Sequence, residues 1–90
     1  MNKTELADFV ANRVDISKAD ATAAVDSVLD GITMALEQDD AVTLIGFGTF
    51  SISHRAERMG RNPRTGETIS IAASRLPKFK PGKALKDRVN

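Results

Sequence analysis

The sequence predicts an α+β fold: two N-terminal helices, a three-stranded antiparallel sheet with a long protruding β-ribbon arm, and a short C-terminal helix. Three observations favour it. Apolar residues recur at helical spacing up to residue 38, and from residue 42 to 80 they alternate at strand spacing. The stretch GRNPRTG, residues 60–66, contains no large apolar residue that could join a core. With 90 residues, the chain forms one domain from which this stretch projects.

The N-terminal half predicts two helices. Asn2 and Glu5 form a capping pattern that starts a short first helix, which ends near Arg13. Ser17 caps a longer second helix, with Asp20 three residues further on. The apolar stripe of the second helix consists of Ala21, Ala24, Val25, Val28, Leu29, Ile32, Ala35 and Leu36. Such a stripe is typical of a packing surface.

The C-terminal half predicts strands. Residues 42–45 and 49–56 form a hairpin around the turn at residues 46–48. Residues 67–75 alternate again and should form one continuous strand. We expect Pro77 to interrupt this strand, because proline lacks an amide donor.

After residues 78–80 resume the strand, Pro81-Gly82 precede a short basic helix over residues 83–89.

Charge is segregated along the chain. Residues 1–45 carry three basic and nine acidic groups, a balance of −6, whereas residues 46–90 carry ten basic and three acidic groups, a balance of +7. The formal net charge of +1 hides this division. A cationic half of this kind indicates a polyanionic partner.

The ribbon carries arginines at every third position: Arg55, Arg58, Arg61 and Arg64. Gly60 and Pro63 exclude a continuous helix here. Because strand residues three apart point to opposite faces, the ribbon should be positive on both sides. Double-stranded DNA has grooves with phosphate on either wall, and a two-stranded ribbon can enter them.

Asn62-Pro63 should form the tip of the ribbon. Proline is rigid and apolar, and at an exposed apex it can be inserted between two base pairs without leaving a donor unsatisfied. The alternative is simple turn chemistry, since Asn-Pro is a common loop dipeptide. The arginines around the tip favour insertion of Pro63 between base pairs as a wedge, because a turn alone does not need them.

The run GFGTFSISHRAERMGRNPRTG, continuing into ETISIAASRLPKFKPGKALK, resembles the bacterial histone-like HU family, which is related to integration host factor. The resemblance extends from the MNKTELADFV start to the terminal KALKDRV helix. It implies an intertwined dimer in which both chains form a helical base, a β saddle lies above it, and two arms wrap DNA through the minor groove. It also implies a cytoplasmic, nucleoid-associated protein that bends and compacts DNA with little sequence specificity and prefers bent, nicked or flexible DNA.

The resemblance assigns segments and residues. Residues 1–38 would form the dimerisation base, 41–56 and 67–80 the saddle and arm base, 57–68 the arm tip, and 82–90 the C-terminal helix. Pro63 would be the wedge, Arg61, Asn62 and Arg64 the tip contacts, and Arg55 and Arg58 the contacts along the arm. The phosphate contacts on the body would be Lys3, Lys18, Arg75, Lys80, Lys83 and Lys86.

The residue count supports a dimer independently. Without the roughly 20 ribbon residues, the body has about 70 residues, which is marginal for one core. The expected core residues of the dimer are Phe47, Phe50, Phe79, Leu29, Ile32, Leu36 and Leu44. Packing of these side chains within one chain stays open as the alternative. We expect a homodimer, and a heterodimer with a paralogue is the second arrangement.

Other classes of function are disfavoured. The chain has no cysteine, and His54, its one histidine, has no carboxylate or nucleophile that sequence spacing would bring to it. We therefore expect no enzyme, no metal site and no cofactor, and His54 to be a solvated or phosphate-adjacent side chain. We expect no signal peptide, and no apolar run in the sequence is long enough to span a membrane.

Two alternatives remain at the level of function. The protein could be a sequence-preferring subunit similar to integration host factor, or a basic protein that binds RNA as its main ligand. An inserting tip would be less useful on RNA, because A-form RNA has a deep, narrow major groove and a shallow minor groove.

Overall fold

The computed structural model describes all 90 residues. The elements in chain order are α1 (Lys3–Val14), α2 (Lys18–Glu37), β1 (Val42–Leu44), β2 (Gly48–Arg55), β3 (Arg58–Arg61), β4 (Thr68–Ile71), β5 (Ser74–Pro81) and α3 (Lys83–Val89). This order confirms the predicted α+β class. None of the three helices has the length and apolar composition that crossing a membrane requires.

Side-chain caps start both long helices as the sequence predicts. Asn2 Oδ1 accepts a hydrogen bond from the Glu5 amide at 2.8 Å, and Ser17 Oγ accepts one from the Asp20 amide at 3.1 Å. Each bond satisfies an amide that has no partner within its helix. Asp15, which ends α1, has a left-handed backbone conformation with φ of 57°.

The core of a single chain is small. Helices α1 and α2 pack around Ala7, Ala21 and Val25, and only 4 of 90 residues are fully buried. Large apolar side chains elsewhere on both helices remain in contact with solvent. One chain therefore leaves most of its apolar stripe uncovered.

The strands form one long antiparallel ribbon with a short third strand at its base. The three-stranded sheet has the order β1-β2-β5, and β3 pairs with β4 beyond it. The pairing runs from Gly48 opposite Pro81 to Arg55 opposite Ser74, and it continues in the same register from Arg58 opposite Ile71. The two sheets are thus parts of one ribbon with a gap between them.

The gap at residues 56–57 and 72–73 corrects the predicted continuous strand over residues 67–75. Three of the four residues are alanine, which has a weaker strand preference than β-branched residues and contributes little cross-strand contact. One side-chain bond spans the ribbon beside the gap, from Ser70 Oγ to Glu57 Oε1 at 2.9 Å.

The interruption expected at Pro77 was also wrong. Strand β5 continues through Pro77, which lies opposite Ile52. Because β5 is an edge strand of the sheet, the position without an amide hydrogen can face away from β2, where no ladder bond is needed.

Three phenylalanines lie together where the sheet meets the turn between β1 and β2. Phe50 lies opposite Phe79 with ring centroids 4.7 Å apart, and the Phe47 ring lies 5.4 Å from that of Phe79. Gly48 permits this approach, since a Cβ there would lie 2.6 Å from both the Lys80 carbonyl oxygen and the Phe79 ring. The cluster is incomplete within one chain, because Phe47 and Phe79 keep 45% and 40% of their surface exposed.

Candidate nucleic-acid interface

The distal ribbon presents unpaired positive charge. Arg55, Arg58, Arg61 and Arg64 are all exposed, and none forms an ion pair within the chain. The molecule measures 59 × 30 × 27 Å, an elongated shape for 90 residues. These guanidinium groups are therefore available to an external anion.

The register assigns the two faces of the ribbon. Arg58 and Arg61 lie three residues apart on the regular strand β3, so they point to opposite faces, as the sequence predicts. Arg58 and Gly60 share their face with Ile69 and Ile71 of β4. The Ile71 side chain covers Gly60, where a Cβ would lie 2.7 Å from Ile71 Cδ1.

The loop that closes the ribbon is held by its own hydrogen bonds. The Asn62 amide donates to the Glu67 carbonyl and the Gly66 amide donates to the Asn62 carbonyl, both at 2.7 Å. Asn62 Oδ1 accepts from the Arg64 amide at 2.8 Å. Gly66 has φ of 75°, a conformation that favours glycine. Pro63 is exposed in this preformed loop.

Three body lysines predicted from separate elements come together. Lys80 at the end of β5 and Lys83 and Lys86 on α3 line an open, polar cavity of about 400 Å³. Gly48, Thr49, Pro81, Gly82 and Asp87 complete its wall. The Gly82 amide donates to the Phe47 carbonyl at 2.8 Å, which attaches the start of α3 to the sheet. The arrangement concentrates positive charge on one flank of the body.

The two lysines on the helical base are paired within the chain. Lys3 Nζ lies 2.9 Å from Asp26 Oδ1, and Lys18 Nζ lies 3.1 Å from Asp8 Oδ1. The hydrogen bond and the charge of Asp26 raise the pKa of the Lys3 ammonium above its ordinary value. Each of these carboxylates offsets part of the lysine charge and so weakens its attraction for a phosphate. The sequence offered no sign of these pairs, because they join α1 to α2.

The guanidinium group of Arg75 binds the C-terminal end of α2. Its Nη2 donates to the carbonyl oxygens of Leu36 at 2.9 Å and Glu37 at 3.0 Å, and it lies 3.0 Å from Asp39 Oδ1. The carbonyls at a helix C-terminus lack partners within the helix, and a cation there is favourable. Arg75 thus has a structural role in the free chain, and its contact with DNA stays a prediction.

His54 contacts one carboxylate, which the tertiary structure and not the sequence spacing brings to it. His54 Nε2 lies 3.1 Å from Asp39 Oδ1, because the connection between α2 and β1 folds against the ribbon root. The ribbon root is the part of the ribbon nearest the helices, residues 53–55 and 74–76. Sequence spacing could not show this contact across the tertiary structure. The pair Asp39-Asp40, directly after the long helix, was the available signal.

The fold and this surface define a class of protein: a small protein with an acidic helical base and a basic β-ribbon that binds a grooved polyanion. A family described as bacterial DNA-binding protein matches residues 1–90. The chain belongs to this family, which confirms the resemblance noted in the sequence.

Individual relatives agree with the family. The chain is 60% identical to DNA-binding protein HU-alpha of Vibrio proteolyticus, over 99% of each chain. It is 62% identical to DNA-binding protein HU of Xylella fastidiosa, over 99% of this chain and 95% of that protein. Among solved structures, the Anabaena HU–DNA cocrystal structure matches with a TM-score of 0.87 and 43% identity, covering 99% of this chain and 97% of the other. HU from Thermotoga maritima matches with a TM-score of 0.70 and 36% identity over both whole chains.

Proposed function

We propose that the protein is an architectural protein of the bacterial nucleoid that, as a dimer, binds double-stranded DNA through the minor groove and bends it with two arms. The observation that carries this proposal is the ribbon, with four unpaired arginines and an exposed Pro63 in its closing loop. Membership in a DNA-binding family and the likeness to an HU–DNA cocrystal structure support it.

The ribbon suits a groove better than a flat surface. Arg58 and Arg61 lie on opposite faces of β3, so both walls of a groove would meet a guanidinium group. Each phosphate that is neutralised releases condensed counterions, which favours binding in a salt-dependent way. Contacts to phosphate, sugar and the degenerate edge of the minor groove give little sequence preference.

Pro63 is the proposed wedge. The hydrogen bonds around Asn62 form the loop before DNA arrives, so Pro63 would enter the base stack without ordering the loop first. Opening a stacked step costs a few kcal/mol, and bending a short duplex smoothly costs about 1–6 kcal/mol. Nicked or kinked DNA should therefore bind better, because part of this deformation is already present.

The dimer is supported by the surface that one chain leaves open. A compact chain of 9.7 kDa would expose about 5,100 Å², whereas this chain exposes 7333 Å². Its radius of gyration of 18.9 Å exceeds the roughly 12 Å of a compact domain of 90 residues. The ribbon accounts for part of this difference, and the uncovered apolar stripe of the base accounts for another part.

An apolar groove between α1 and α2 marks where the second copy would pack. It has a volume of about 270 Å³ and is lined only by apolar side chains, namely Leu6, Val10, Ala24, Val25, Val28 and Leu29. None of the expected dimer-core residues is buried within one chain. Exposed are Leu29, Leu44, Phe47 and Phe79, and half-buried are Ile32, Leu36 and Phe50. A second copy of this chain brings the same unpaired apolar surface, so we assign it as the occupant.

The test of the wedge measures bending and affinity separately. Energy transfer between dyes at the two ends of a duplex reports bending, and Pro63→Ala should reduce it while lowering affinity much less. Arg64→Ala is the matched control in the same loop, and it should weaken binding more at low salt than at high salt. Equal bending by wild type and Pro63→Ala would show that Pro63 only shapes the turn.

A competition experiment tests the ligand and its specificity at a stated salt concentration. Nicked duplex should bind more tightly than intact duplex of the same length, and random competitor DNA should displace both. Strong resistance to random competitor would favour a sequence-preferring protein. Tighter binding to double-stranded RNA of equal length would contradict the proposed function.

A further inference from the structure

The connection between α2 and β1 holds a strained residue that the proposed DNA surface does not use. Asp39 has φ of 59°, in the left-handed region that favours glycine. Aspartate tolerates this conformation better than most residues, yet it still adopts it at a cost. A strained backbone of this kind persists where the surrounding contacts hold it in place.

The Asp39 and Asp40 amides donate to the carbonyls of Leu36 at 3.1 Å and Ala35 at 2.9 Å, which holds this turn at the end of α2. The carboxylate of Asp39 adds further contacts. Its Oδ1 lies 3.0 Å from Arg75 Nη2 and 3.1 Å from His54 Nε2. His54 and Arg75 face each other across β2 and β5, one pair before this ladder ends. A single carboxylate oxygen therefore connects both strands of the ribbon root to the loop after α2.

Arg75 extends this connection to the helix itself. The same Nη2 donates to the carbonyls of Leu36 and Glu37 in the last turn of α2. We call Asp39, His54 and Arg75 the Asp39 cluster. It joins three parts of the molecule: the helical base, the loop and the ribbon root.

We propose that Asp39 is a positioning residue that fixes the direction of the ribbon relative to the helical base, and that a proton on His54 tightens this hold. The effect on DNA rests on the proposed function of the ribbon as the DNA-binding arm. The effect on the free protein does not.

The charged groups around His54 give the direction of the pH dependence. Asp39 faces it from the loop and Arg75 from β5, and Arg55 follows it on β2. Two more acidic residues, Glu37 and Asp40, lie within two positions of Asp39 in the sequence. A charged imidazole attracts the Asp39 carboxylate more strongly than a neutral one, so the ribbon root should be more rigid at lower pH, when His54 carries a proton.

Two aspartates with left-handed conformations provide a matched comparison. Asp15 has φ of 57° at the end of α1, but its carboxylate forms no ion pair or hydrogen bond within the chain. Asp39→Asn and Asp15→Asn make the same chemical change in the same backbone conformation. Asp39→Gly removes the carboxylate and relieves the strain together, so it keeps the test valid if Asp39→Asn folds poorly.

The experiment measures amide hydrogen exchange at residues 53–55 and 74–76 in the free, full-length protein. Protection at pH 6.0, corrected for the intrinsic exchange rate and for global stability, should fall about two- to fivefold in Asp39→Asn and Asp39→Gly, as expected for one exposed ionic contact. Asp15→Asn should match wild type. Equal protection in wild type and both Asp39 variants overturns the proposal.

The pH profile separates the positioning role from simple packing. Wild-type protection at the ribbon root should be higher at pH 6.0 than at pH 8.0, and His54→Gln should abolish this difference. A pH difference that persists in His54→Gln overturns the role of the proton.

Bending of nicked duplex by Asp39→Asn then tests the consequence for DNA, with a weaker average bend expected. A loosened root with unchanged bending and affinity would support the Asp39 cluster and contradict the ribbon as the binding arm.

Discussion

The helical base and the ribbon differ in whether their cations are paired and in whether they expose apolar surface. In the base, residues 1–38, Lys3 and Lys18 are paired with Asp26 and Asp8, and an apolar groove stays open between the helices. In the distal part of the ribbon, residues 55–74, the arginines are unpaired and there is no apolar groove. The difference favours an apolar partner for the base and an anionic partner for the ribbon.

The largest effect is expected from a charge in the groove of the base. Val28 lines the groove and is 58% exposed in one chain, so Val28→Asp should leave the single chain folded. In a dimer it would bury an unpaired carboxylate and raise the dissociation constant about a hundredfold or more. Sedimentation equilibrium measures this change. Ala23→Asp adds the same charge about 140° around the axis of α2 from Val28, on the side away from the groove, and should leave the dimer intact. Equal dissociation of both variants would contradict the assignment of the groove.

A glycine-to-alanine pair compares the body with the ribbon. Gly48→Ala places a Cβ 2.6 Å from the Lys80 carbonyl, and backbone cannot move aside easily, so the free energy of unfolding should fall by about 1–3 kcal/mol. Gly60→Ala meets only the end of the Ile71 side chain, which is 36% exposed and can rotate. Its effect should stay within about 0.5 kcal/mol. Urea denaturation measures both, and a larger loss for Gly60→Ala would show that the ribbon is packed as tightly as the body.

The smallest effect concerns the salt dependence of DNA binding. Arg58→Ala should reduce the slope of log affinity against log salt by about 0.9 for each phosphate contact that is lost. Lys18→Ala should change the slope less, since Asp8 already offsets the lysine charge. Titrations of one duplex at several salt concentrations measure both slopes. Equal reductions would mean that the ion pairs of the base open fully on DNA.

Much of this architecture could be predicted because it depends on local chemistry. Asn2 and Ser17 cap helices through neighbours three residues away, and alternation of Phe50 and Ile52 indicates a strand within a few residues. The ribbon and its arginines were predictable for the same reason. The family resemblance added the expectation of a dimer and of particular DNA contacts, which remain proposals.

The rest depended on contacts between distant segments. The Lys3–Asp26 pair, the contact between Asp39 and His54, and the helix-end role of Arg75 all join elements far apart in the chain. The ribbon gap was missed because alternation at residues 69–73 predicts a strand whether or not its partner pairs there. Pro77 was misjudged because the penalty for proline depends on whether a strand lies at the edge of a sheet.

The position of Pro77 has a consequence for solubility. An unprotected edge strand can template the addition of strands from other molecules, which leads to aggregation. A proline within an edge strand turns its nitrogen to the outer side, so an incoming strand would meet a break at Pro77 in the row of amide donors along β5. A protein that crowds along DNA would bring many such edges close together. The same proline that the sheet tolerates would then help to keep neighbouring molecules from joining into a continuous β-structure.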